Sequence, residues 1–162
     1  MRHLVTTAAR LWALLGGLLL LGIVGVTAVS VAMDLLHNAP IPGDFELVQL
    51  GCAVAVFAFL PWSQVSRGHV AVDIFIRHAG PRLRKASSAA GSALMMLFAL
   101  LLLWRMGLGL LAYYDPIYPE TTPILGIPVW LAFPPMLASC ALWAAASAVT
   151  LVEDLRSETG AP

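Results

Sequence analysis

The chain reads as an all-α integral membrane protein with four transmembrane helices. A short interfacial helix is expected between helices two and three, and both termini are expected in the cytoplasm. Three observations carry this reading. Of 162 residues, 60% are hydrophobic and 11% charged, against about 25% charged in an ordinary soluble domain. Four apolar runs approach or exceed the length of about 20 residues that a helix needs to cross a bilayer. The basic residues between those runs gather on one side. Mean hydropathy is +0.87, more apolar surface than a soluble fold of this size can hide from water. The whole chain, 1–162, is read as one transmembrane domain without a repeat or a soluble module.

The first span is expected at about 11–33, uncharged from Leu11 to Met33. Arg2 and Arg10 precede it, and "AVSVAM" offers small residues of the kind found at signal cleavage sites. The apolar run is longer than the roughly 7–15 residues of a cleaved leader, so a retained anchor is expected. The second span, about 45–65, opens with Glu46 and is then uncharged to Ser66. The connector at about 67–80 contains "SRGHVAVDIF". Asp73 and Arg77 stand four apart with the acid first, the favourable order for a helical pair. Val70, Ile74 and Phe75 can share the opposite face, as an interfacial helix requires. The alternation of Val70, Val72, Ile74 and Ile76 also suits a strand, but no partner strand is visible. Gly80-Pro81 ends the segment. The third span, about 86–113, is interrupted by Arg105. The fourth is placed at about 128–152, starting near Pro128, with a kink expected at Pro134-Pro135.

Orientation follows from the cations. Arg2 and Arg10 precede span one; Arg67, Arg77, Arg82, Arg84 and Lys85 lie between spans two and three; Arg156 follows span four. The other two loops hold Asp34, Asp44, Asp115 and Glu120 and no basic residue. The basic side is therefore the cytoplasm. Trp12 and Trp62 are expected near that boundary, with Tyr113, Tyr114, Tyr118 and Trp130 near the outer one.

Several function classes are disfavoured. A net charge of zero gives no basic surface for nucleic acid. Cys52 and Cys140 stand in separate apolar runs, as small packing residues. His3, His37, His69 and His78 all lie outside the span interiors, so none can pair at matching depth to hold haem. No His/Cys/acid cluster has zinc-ligand spacing, and no nucleophile elbow is present. No cofactor, metal or catalytic residue is expected, and the chain is not read as an enzyme. Small residues four apart, Ala13 and Gly17, Gly51 and Ala55, Ser87 and Gly91, Ala141 and Ala145, are consistent with close helix packing in lipid.

Two polar residues need partners. Arg105 lies eight residues inside the outer end of span three, about 12 Å deep. Its side chain leans toward the helix N-terminus, away from the outer surface, and an unpaired arginine at such depth is costly. Its companion is open between Glu46 or Asp34 of this chain, a residue on a second protein, and a substrate anion. Glu46 is open between an ion pair or helix-end role and proton coupling.

Three local patterns carry a resemblance: "FELVQL" with Glu46; "SRGHVAVD", with Arg67, His69 and Asp73; and "TTPILGIPVWLAFPPML", Thr121 to Leu137. In this order, on a four-span chain of this length, the sequence resembles the small membrane subunit of TRAP (tripartite ATP-independent periplasmic) transporters, the DctQ-like family. The paired Pro134-Pro135 departs from the single proline expected there.

The resemblance implies a non-catalytic small permease subunit in a bacterial inner membrane. Its partners would be membrane lipid, a large membrane subunit that carries the transport sites, and a periplasmic solute-binding protein. The small subunit would brace the large one during secondary, ion-gradient-driven uptake of an organic acid, usually by sodium symport. Glu46, Arg67, His69, Asp73 and Arg105 are then subunit-contact or structural polar residues. Asp115 and Glu120 are candidates for docking the binding protein. The alternatives are a membrane anchor of a respiratory haem or quinone enzyme, and a small homo-oligomeric transporter.

Overall fold

The computed structural model describes residues 2–66, 81–115, 117 and 119–156. Among these residues the chain forms four long helices and no strand: α1 (Arg2–His37), α2 (Asp44–Val65), α3 (Pro81–Tyr113) and α4 (Phe133–Arg156). A 3-10 turn, Val129–Ala132, leads into α4. All four are long and apolar enough to cross a membrane. At 1.5 Å per residue even α2, with 22 residues, reaches about 33 Å. The expected interfacial segment at 67–80, with Arg67, His69 and Asp73, lies outside the described residues.

The fourth candidate span runs from Val129, beside the expected start near Pro128, and passes from the 3-10 turn into α4. The first residue of α4 is Phe133, so Pro134 and Pro135 occupy its first turn. N–H groups in that turn have no intrahelical acceptor, and their absence in proline removes no helical hydrogen bond.

The helices pack in a definite order. Gly16 of α1 meets Ala58 of α2, Ile23 meets Gly51, and Ser30 meets Asp44. The pairs descend α2 as they ascend α1, so the two run antiparallel. Ser92 and Gly109 of α3 meet Asp154 and Phe133 of α4 in the same antiparallel sense. Helix α4 contacts the three others, whereas α3 rests chiefly on α4 and the 3-10 turn. Arg2 Nε lies 3.2 Å from Glu153 Oε1. That pair sets the start of α1 beside the end of α4.

Small side chains predominate on the inward faces. The most deeply buried positions are small residues: Ala9, Ala55, Ala99, Cys140 and Ala146 are each 0% exposed, and Trp143, Met136 and Ile23 are the large hydrophobic side chains buried among the described residues. Many large aliphatic side chains point out, as at Leu21, 70% exposed. Lipid is as apolar as leucine, so burying leucine gains little there, and close backbone approach matters more. Gly16 supplies such an approach: a Cβ there would stand 2.8 Å from Ala58 Cβ and 3.4 Å from Ala55 O. The neighbouring Gly17 has open space around it, so the seam uses Gly16 and not the Gly17 of the expected small-residue pair.

Polar side chains cross-link this small-residue interior. Trp12 donates its indole N–H to Ser139 Oγ at 2.7 Å. Trp12, expected near the inner boundary, thus also joins α1 to α4. Gln64 Nε2 donates to Thr150 Oγ1 at 3.0 Å, and Ser92 Oγ to Asp154 Oδ2 at 2.7 Å. Each bond ties α4 to a different helix.

Candidate functional site

At the end of the bundle opposite Arg2 and Glu153, groups from α1, α2 and the connection before α4 converge. The α1–α2 turn comes first. Asn38 closes α1 in the left-handed region, at φ 49°, which asparagine tolerates better than most residues. Gly43 precedes α2 at φ 79°, and its carbonyl accepts the N–H groups of Glu46 and Leu47 at 3.0 and 3.2 Å. Ser30, about two turns before the end of α1, fastens this turn. Its hydroxyl donates to Asp44 Oδ2 at 2.6 Å and accepts the Ile41 N–H at 3.1 Å.

The connection before α4 folds into a tight loop. Thr122 N donates to Ile127 O at 2.9 Å and Gly126 N to Thr122 O at 3.1 Å. Thr122 Oγ1 accepts the Ile127 N–H at 3.0 Å, and Val129 N donates to Glu120 O at 2.9 Å. Gly126 takes φ 64°, a region where glycine meets no Cβ penalty. Tyr114 sets its ring edge against Trp130, with centroids 5.5 Å apart, and Tyr113 stacks on Phe133 at 5.7 Å. These contacts fix the loop's two ends to α3 and α4.

Glu46 joins the two halves. Its Oε1 accepts the Ile124 N–H at 2.7 Å, and its Oε2 accepts the Leu125 N–H at 2.9 Å. Successive amides converging on one anion form a small nest. The carboxylate also sits in the first turn of α2, where the helix dipole favours negative charge. It is 7% exposed, and its hydrogen bonds to the loop offset the desolvation that such burial demands. Leu125 then packs over Gly43, where any Cβ would collide with Leu125 Cγ. Gly43 is thus required twice, by its φ and by this contact.

The structure therefore brings two of the three quoted patterns together, Glu46 of "FELVQL" and the "TTPILGIP" loop, across 78 residues of chain. It does not bring Arg105 to either acid expected for it. Glu46 is engaged with the loop, and Arg105 is exposed on α3 without an ion pair among the described residues. Asp115 is exposed, and its Oδ1 accepts the Ile117 N–H at 2.8 Å. Glu120 is exposed beside the base of the loop. Arg67, His69 and Asp73 lie outside the described residues.

Ser30, Gly43 and Thr122 were not singled out from sequence. A glycine directly before "DFEL" is a helix-start signal that would have marked Gly43. Thr122 before proline is a turn signal. Ser30 had no signal beyond a hydroxyl in an apolar run. Chemically, this assembly holds shape: hydroxyls, backbone amides and two carboxylates are spent on one another. Among the described residues no group of three His, Cys, Asp or Glu side chains could hold a metal ion. His3 and His37 are exposed near opposite ends of α1.

Residues 23–157 match the family model described as tripartite ATP-independent periplasmic transporters, DctQ component. No curated protein and no solved structure matches the chain.

Proposed function

This chain belongs to the DctQ-component family of tripartite ATP-independent periplasmic transporters, and from that premise we propose how it serves the complex. As a family member it is the small permease subunit of such a transporter, a multi-pass membrane protein. The family works with a large membrane subunit and a solute-binding protein. In our reading this chain transports nothing itself. It braces the large subunit and presents the Glu46-anchored end to the binding protein, on the periplasmic side of a bacterial inner membrane. The basic end, with both termini, then faces the cytoplasm. The cargo is an organic acid and the coupling ion sodium, in keeping with the general pattern of such transporters.

The Glu46 clamp is the observation that most supports a bracing role. A carboxylate at the edge of a span is spent on fastening a loop, not left open to bind an ion or relay a proton. The cross-links from α4 to α1, α2 and α3 are spent likewise. Conducting cores of secondary transporters instead carry helices broken near mid-membrane.

Docking is tested by charge reversal at the loop. In proteoliposomes holding this chain and the large subunit, Asp115→Lys with Glu120→Lys should raise the binding-protein concentration needed for half-maximal uptake. The shift should shrink as salt rises, as rim electrostatics do. Unchanged dependence at low salt, with normal assembly, would remove these two residues from the docking surface.

A further inference from the structure

Helix α3 is packed on one side only. Ser92 and Ala99 face α4 and are buried. On the rest of its circumference Leu94, Leu97, Phe98, Leu101, Trp104 and Leu108 are exposed. Helix α1 also shows a large exposed face, but from Leu11 to Met33 that face carries no charge, as lipid requires. Helix α3 differs because Arg105 stands on its exposed arc. At 100° per residue, Leu94, Phe98, Leu101 and Leu108 all lie within about 60° of Arg105, and Ala99 and Ser92 about 120–140° away.

The depth of Arg105 decides its solvent. Tyr113 ends the helix eight residues later, about 12 Å off, and Ser87 lies about 27 Å the other way. The side chain leans away from the nearer end, so its stem is poorly placed to carry the guanidinium to headgroups there. No acid of this chain answers it among the described residues. Glu46 is held by two amides, Asp44 by Ser30, Asp154 by Ser92 and Glu153 by Arg2. Arg105 is preceded by Trp104, 68% exposed. Arginine and tryptophan are the residue types most enriched where interfaces concentrate their binding energy.

We infer that the exposed arc of α3 is the seat of a neighbouring transmembrane helix, and that this helix brings a carboxylate to Arg105. The inference rests on the reading of this chain as the brace of a large membrane subunit, whose helix it would be. A bidentate guanidinium–carboxylate pair is the strong form of such a contact, and Leu101 and Leu108 supply the apolar seam on either side of it. Trp104 closes the edge.

The test uses the chain co-expressed with its large-subunit partner. Arg105→Leu should leave the level and stability of this chain unchanged, because no described contact within it uses Arg105. It should lower recovery of the large subunit on this chain by about thirtyfold or more, the low end for truncating one partner of a desolvated charge pair. Arg105→Lys should restore part of the loss. Single cysteines at Leu101 and Leu108 should cross-link to the large subunit, whereas a cysteine at Leu21 on α1 should not. Undiminished recovery with Arg105→Leu overturns the inference and leaves the bracing role standing. Recovery that follows anionic phospholipid content and not Arg105 assigns the guanidinium to a lipid phosphate and overturns it as well. Failure of the unaltered chain to recover the large subunit overturns both readings.

Discussion

Gly16→Ala is the substitution that best separates close backbone packing from composition alone. The added methyl would stand 2.8 Å from Ala58 Cβ and 3.4 Å from the Ala55 carbonyl oxygen. Carbon atoms in good contact sit about 3.5–4.0 Å apart, so α1 and α2 must separate by roughly 0.7–1.2 Å at this crossing. One of the two obstacles is backbone and the other is a β-carbon, and neither can rotate away. A gap of this size forfeits about a quarter to a half of each dispersion contact along the seam, and overpacking of this kind costs about 1–3 kcal/mol. Alanine regains up to about 1 kcal/mol of helix propensity. With the full propensity gain the net loss is about 0–2 kcal/mol, and because Gly17→Ala shares that gain, Gly16→Ala should fall below it by the overpacking cost of about 1–3 kcal/mol. Gly17→Ala is the matched control, because nothing lies within 4 Å of its added Cβ; it should be neutral or stabilising by up to about 1 kcal/mol. Reversible unfolding of the detergent-solubilised chain by SDS titration reads both. Gly16→Ala combined with Ala58→Gly should recover most of the loss. If Gly16→Ala is as stable as Gly17→Ala, the α1–α2 register is wrong.

The polar cross-links respond to single substitutions in ways that stability and exchange measurements resolve. Trp12→Phe should cost about 0.6 kcal/mol, and at most about 1.7, the range for such bonds in membrane bundles; the effect should vanish in a Ser139→Ala background, as a double-mutant cycle would show. Thr150→Val leaves the buried Gln64 amide without its acceptor and should cost about 1–3 kcal/mol. Adding Gln64→Leu should return most of it, since removing both partners of a buried pair is nearly neutral. Glu46→Gln sets an amide donor against one of the two loop amides it now accepts. Hydrogen exchange at Ile124 and Leu125 should quicken, with exchange in the middle of α2 unchanged. Equal protection in the variant would show that the loop is held by its own turn bonds.

Sequence reading found the elements more readily than their contacts, for physical reasons visible at particular residues. Uncharged runs bounded by Arg10, Glu46, Lys85 and Glu153 mark the helices, because the bilayer excludes charge more strictly than any propensity acts. Proline both breaks helices and opens them, so the sequence alone could not decide between a kink and a helix start at Pro134-Pro135. Pro134-Pro135 after a 3-10 turn is an opening. The choice between Gly16 and Gly17 could not be made, since small-residue spacing gives a candidate face and no rotation. Glu46 was marked as a polar oddity and the 121–128 run as a motif, yet their contact is between a side chain and backbone amides 78 residues away. No periodicity encodes such a bond. Arg105 was recognised by its depth, and the structure adds that its partner is not among this chain's described acids.

Transport in proteoliposomes of defined composition separates a bracing subunit from a conducting one. This chain alone should give solute flux no different from empty vesicles; the large subunit and binding protein added with it should give uptake that collapses when the ion gradient is dissipated. Gradient-driven flux through this chain by itself would contradict the account.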